Sequence, residues 1–91
     1  MRIKEGFTLR EVCGEYAVVG EGLAVIDFRK IVALNEAGAF LWKKAKELGD
    51  FTTEDLTTAL CEEYEVSESV AQHDVNIMLE QWKQLGLLVK M

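Results

Sequence analysis

The sequence predicts an α+β domain in which a small antiparallel sheet comes first and three helices follow. Three observations predict it. β-branched and aromatic residues gather in the first third of the 91-residue chain. Near residue 35 the apolar spacing lengthens from about two residues to three or four. From there on, each apolar stretch opens on a side chain able to cap a helix.

Phe7-Thr8-Leu9-Arg10-Glu11-Val12 alternates apolar with polar, the period of a half-buried strand. Cys13-Gly14 suits a tight turn, and Tyr16-Ala17-Val18-Val19 starts the returning strand of a hairpin. Gly20-Glu21-Gly22 interrupts the pairing. Leu23 to Phe28 is extended in character, Arg29-Lys30 reads as a turn, and Ile31-Val32-Ala33-Leu34 as a further strand. The sheet therefore has three or four strands, depending on whether 23–28 and 31–34 are separate or one bent strand.

Asn35 opens the first helix, with Glu36 at the positive end of its dipole. Ala37, Phe40, Leu41, Ala45 and Leu48 fall at helical spacing with Trp42 on the flank, and Gly49 ends it. The second helix begins at Thr52 or Thr53, where Thr52-x-x-Asp55 has capping-box spacing, and its stripe is Leu56, Ala59, Leu60 and Tyr64. The third begins at Ser67 or Ser69, the latter with Gln72 at capping-box distance, and ends at Gly86. Ala71, Val75, Met78, Leu79, Trp82 and Leu85 share one arc of it; Trp82 and Leu79 read as core. Val70, Asp74, Ile77 and Gln81 form a neighbouring strip, so this helix is equipped to touch something on a second side. Sheet, three helices and an extended tail at 87–90 together describe one winged helix-turn-helix-like domain over residues 1–91.

Charge and composition remove several function classes. Ten Lys plus Arg stand against 16 Asp plus Glu, for a net −6. Residues 1–46 hold eight basic and six acidic side chains, and residues 47–91 two basic and ten acidic. Winged-helix domains usually place a helix in the DNA major groove. Here the last two helices carry eight acids against Lys83 alone, which would repel phosphates. No nucleic-acid partner is expected. No apolar run is long enough for a signal-peptide core or a bilayer span, so a cytoplasmic protein without a membrane partner is expected. Cys13 and Cys61 lie far apart without metal-ligand spacing and read as small buried hydrophobes, and the one histidine, His73, reads as solvent-facing. No catalytic motif occurs, so neither an enzymatic role, a metal site nor a cofactor is expected.

The run Leu34-Asn35-Glu36-Ala37-Gly38-Ala39-Phe40-Leu41-Trp42 resembles the strand-to-helix signature of the PqqD family. Thr53 to Leu56 followed by Glu62-Glu63-Tyr64-Glu65-Val66 is similar to the middle of family members, and Asp74 to Leu79 followed by Leu85-Gly86-Leu87-Leu88 to their ending. The stretch before Leu34 is longer than in the founding members, which brings the chain nearer to PqqD-like proteins that serve other peptide-modifying pathways. The resemblance implies a peptide chaperone, a recognition element for ribosomally made and post-translationally modified peptides. Such a protein binds the leader of a precursor peptide as an added strand and presents it to a modifying enzyme, often a radical S-adenosylmethionine protein.

Carried onto this chain, the resemblance puts the docking edge at Ile31, Val32, Ala33 and Leu34, with Ala24-Val25-Ile26 as second choice. The wall opposite comes from Val70, Asp74, Ile77, Met78 and Gln81, with Asp74 placed to pair with a basic leader residue. Proline at Val32 is the expected way to remove an edge amide. Lys43, Lys44 and Lys46 read as a solvated helix face or as a docking patch for an acidic enzyme. Two other readings stand beside this one: a winged-helix DNA-binding regulator, and a small adaptor whose free edge pairs with a second copy. Monomer and homodimer are both compatible with the sequence.

Overall fold

Two glycine-type backbone positions side by side set the first hairpin. Cys13 and Gly14 have φ of 52° and 80°, the left-handed pair of a two-residue turn whose twist matches that of the strands it joins. In the computed structural model, which describes residues 1–20 and 32–89, this turn links β1 (Phe7–Val12) to β2 (Glu15–Gly20). Strand β3 (Val32–Leu34) pairs antiparallel with the other side of β2, giving the order β1-β2-β3. The strand expected at 23–28, the Arg29-Lys30 turn, Ile31 and Lys90 lie outside the described residues.

Three helices follow: α1 (Glu36–Leu48), α2 (Thr53–Tyr64) and α3 (Glu68–Gln84). Local chemistry starts and stops each of them. The Asn35 side chain accepts a 2.7 Å bond from the Gly38 amide. Thr52 and Asp55 make both bonds of a capping box, at 3.1 and 2.9 Å. For α3 the cap is Ser67, which accepts from Val70; the Ser69–Gln72 alternative is not used because Ser69 already lies inside the helix. Gly86 ends α3 at φ 76°, donating to Lys83 while Leu87 donates to Trp82, the reciprocal pair of a Schellman motif.

The core lies between the sheet and the helices, with Val18, Leu56, Val75 and Phe51 fully enclosed. Trp42, expected on a flank, is 1% exposed, whereas Leu48 is exposed because it sits in the last turn of α1. Leu85, at the C-cap of α3, is likewise turned outward, and Tyr64 at the end of α2 is only partly covered. Cys13 is exposed at the hairpin tip rather than buried, and Cys61 is half-buried; both are free thiols. His73 is exposed, as expected.

The sequence reading missed the first residues. Ile3 bridges to Leu88, the Lys4 amide donates to Leu87 and the Val89 amide to Arg2, so the two ends of the chain lie side by side. Ile3 and Leu87 are both buried there. Arg2 adds an exposed ion pair with Asp50 at 3.0 Å. No helix of the described residues is long and apolar enough to cross a membrane.

Candidate functional site

Register decides which backbone groups β3 leaves unpaired. A two-residue turn is closed by a hydrogen-bonded pair, here Val12 and Glu15. Along an antiparallel strand the hydrogen-bonding direction alternates, so Glu15, Ala17 and Val19 bond towards β1, and Tyr16 and Val18 towards β3. Tyr16 faces Leu34 and Val18 faces Val32, which makes these the hydrogen-bonded pairs. Ala33, opposite Ala17, therefore directs its N–H and C=O away from the sheet. The amide of Val32 is committed to β2. The edge donor is that of Ala33, which corrects the expectation that proline at Val32 would test the edge.

Side chains alternate as well. Val18 is fully buried, so its partner Val32 and the next residue on that face, Leu34, point towards the helices. Both pack against the core while staying half-buried. Ala33 turns its methyl to the solvent face and offers the groove only backbone.

Beside this edge runs a groove of about 550 Å³. Val32, Ala33 and Leu34 form one side; Asp74, Ile77, Met78 and Gln81 of α3 form the other. Seven of the nine expected site residues thus come together. Val70 does not line the groove: it is half exposed, one turn before Asp74 on the same strip. Ile31 lies outside the described residues. Ile77 is 48% exposed, an apolar side chain that the fold itself does not need to bury.

Several groove residues were not singled out from sequence. Trp82, expected only as core, is buried yet contributes to the floor, together with Leu41, Leu60 and Val66. Tyr64 and Leu85 stand towards the two ends of α3. Asn35 and Gly38 fix the junction between β3 and α1. A Cβ on Gly38 would come within 3.1 Å of the Asn35 side-chain oxygen and 3.5 Å of Leu34 Cβ, so glycine lets the cap bond form against the strand. That contact gives the Leu34-Asn35-Glu36-Ala37-Gly38 signature a physical reason.

The electrostatics are uneven. Asp74 is the one charged side chain lining the groove, and no Lys, Arg or His lines it among the described residues. Desolvation, then the carboxylates of Glu36 and Glu63, and last Tyr16, push the Tyr64 phenol above its usual 10.0. Tyr64 also meets the Phe40 ring edge to face, centroids 5.8 Å apart. On the outer face of α1, the Lys43 ammonium lies 5.7 Å from the Tyr16 ring centroid and that of Lys46 5.9 Å from Trp42. A second cleft, between α2 and α3, is polar and borders no strand edge; Glu54, Glu62, Glu68 and Asn76 are among its walls. An edge that no described residue pairs, beside an apolar groove, can accept one more strand, its backbone on Ala33 and its side chains in the groove.

Two solved structures share the fold. The chain superimposes on "TbiB1 in Complex with the TbiA(beta) Leader Peptide" with a TM-score of 0.76 and 19% identity, over 100% of this chain and 98% of that one. It superimposes on "Lasso peptide synthetase B1 complexed with the leader peptide" with a TM-score of 0.72 and 16% identity, over 98% and 96%. No curated protein matches the chain. Residues 22–88 match the family model described as coenzyme PQQ synthesis protein D, a stretch running from before β3 through α3. With most of its length inside that match, the chain belongs to the PqqD family.

Proposed function

We propose that the protein is a peptide-binding chaperone that takes the leader of a ribosomally made precursor peptide onto the β3 edge and presents it to a modifying enzyme. The observation that carries this reading is the backbone of Ala33, unpaired among the described residues, beside the apolar wall of α3. Support comes from two proteins of the same fold that are described in complex with leader peptides. The leader lies as a fourth strand, and Ile77 and Met78 receive its apolar side chains. Its role is non-catalytic: it raises the local concentration of a substrate for a separate enzyme. A radical S-adenosylmethionine protein is the partner class the family favours. The acids of α2 and α3 argue against DNA as the occupant of the same surface.

The test is a titration with synthetic leaders of any precursor peptide encoded beside this protein's gene, followed by amide exchange and isothermal calorimetry. Binding with slowed exchange at Ala33 is the expected result. Binding that leaves Ala33 and the α3 strip unprotected would place the peptide elsewhere and overturn the strand-addition reading.

A further inference from the structure

The groove has a polarity that fixes what a bound strand must carry and in which order. Tyr16 pairs with Leu34 and acts on the Tyr64 phenol, so the Leu34 end of β3 lies at the end of α2 and beside the N-terminal half of α3. At the other end, Leu87 and Leu88 leave α3 to pair with residues 3 and 4, which precede β1. The first residue of β1, Phe7, faces Gly20, on the Val32 side of the sheet. Leu85 therefore belongs to the Val32 end and Asp74 to the Leu34 end.

Among the described residues the two ends differ in charge. At the Leu34 end stands Asp74, exposed and without an ion pair among the described residues, and near it Glu36 and Glu63 act on Tyr64. Lys43 is turned to the Tyr16 ring, and His73 does not line the groove. At the Val32 end the α3 side chains are Gln81 and Leu85, both neutral.

A strand added antiparallel to β3 places one residue opposite Ala33, exchanging both hydrogen bonds with it. The neighbours of that residue, opposite Leu34 and Val32, point to the helical face about 7 Å apart. An antiparallel chain passes Leu34 first. The geometry points to a two-position code in the bound peptide: a Lys or Arg opposite Leu34 that pairs with Asp74, and an apolar residue two positions later, opposite Val32, that packs against Met78 and Leu85. This rests on the strand-addition reading, with the added strand antiparallel like both pairings within the sheet, and adds the residue class.

The test is a selection of short randomised displayed peptides on the purified protein and, in parallel, on Asp74→Asn, Asp74→Lys and Glu80→Gln variants checked for folding by circular dichroism. The wild type and Glu80→Gln should enrich basic-x-apolar sequences. Asp74→Asn should keep the apolar position and lose the basic one, and should bind a wild-type-selected peptide about fivefold more weakly. Asp74→Lys should exchange basic for acidic at that position. Unchanged basic enrichment on Asp74→Asn, a neutral residue at that position on the wild type, or the order apolar-x-basic would each overturn the code while leaving strand addition intact. Selected peptides whose binding is indifferent to Ala33→Pro would overturn strand addition itself.

Discussion

Trp42 of α1 and Trp82 of α3 meet edge to face, with ring centroids 5.1 Å apart and planes at 76°. Both are 1% exposed, and Trp82 also forms part of the groove floor. The contact makes one packing unit of the core and the candidate site: whatever fills the groove rests on a ring that the opposite helix holds in place.

Truncating that ring should therefore be felt by the whole molecule. Trp82→Ala is expected to cost about 3–5 kcal/mol, a large share of the stability of a domain this size. Urea unfolding followed by circular dichroism measures it; a loss below about 1 kcal/mol would mean that the tryptophan pair is not central to the core.

Two prolines one residue apart should behave differently. Ala33→Pro removes an amide that faces outward, so the fold should survive while peptide affinity falls about fivefold, the net contribution of one hydrogen bond. Val32→Pro removes a bond to Val18 and should loosen β3 itself. Thermal melts paired with binding isotherms separate the two effects, and equal melting temperatures for the two variants would show that the assigned register is wrong.

The exposed strip of α3 should tolerate change in the absence of peptide. Ile77→Ser is expected to alter stability by no more than about 0.5 kcal/mol, less its small loss of helix propensity, yet to weaken peptide binding. The adjacent core residue gives the contrast: Leu79→Ala should destabilise by about 2–5 kcal/mol. Differential scanning fluorimetry and calorimetry on the pair would show whether stability and binding separate along one helix.

Tyr64 provides a readout in alkali. Its phenol is held neutral beyond the usual 10.0, so above that value the native state keeps a proton that the unfolded chain has released. Stability should fall as pH rises through that window and level off once the native phenol also ionises. Ultraviolet titration of the wild type against Tyr64→Phe should show the loss of a phenol transition lying above 10.0. Glu36→Gln should lower it.

Association should be faster at low salt for a leader carrying Lys or Arg, because the helical half concentrates the negative charge. Stopped-flow anisotropy at two ionic strengths measures this. An on-rate indifferent to salt would remove long-range steering from the account while leaving the short-range Asp74 contact to its own test.

What was legible in the sequence was local. Asn35, Thr52 and Ser67 satisfy amides within three residues of themselves, and the Cys13-Gly14 turn is fixed by two backbone torsions. The α3 strip was visible because Val70 and Ile77 are two apolar residues outside the main arc of the helix. Distant pairings were not legible. The direction of the Ala33 amide depends on a turn twenty residues earlier that sets the register of β2. Trp42 looked peripheral on its own helix because its partner, Trp82, lies forty residues away. Ile3 gave no signal at all, since its burial depends on Leu87 and Leu88 at the far end of the chain. Tyr64 fitted the apolar stripe of α2, but a position in the last turn leaves its hydroxyl among acids and at the mouth of the groove.

Among the described residues strand β3 covers Val32–Leu34, and within that stretch Ala33 faces outward. A single exchanged pair of hydrogen bonds contributes about 1–3 kcal/mol, far too little to hold a peptide for long by itself. Residence time is then set by the side chains in the groove, and a peptide whose side chains fit poorly leaves quickly. A grip of that kind can be loosened without breaking the backbone pairing, because a competing surface needs only to draw the side chains out of the groove.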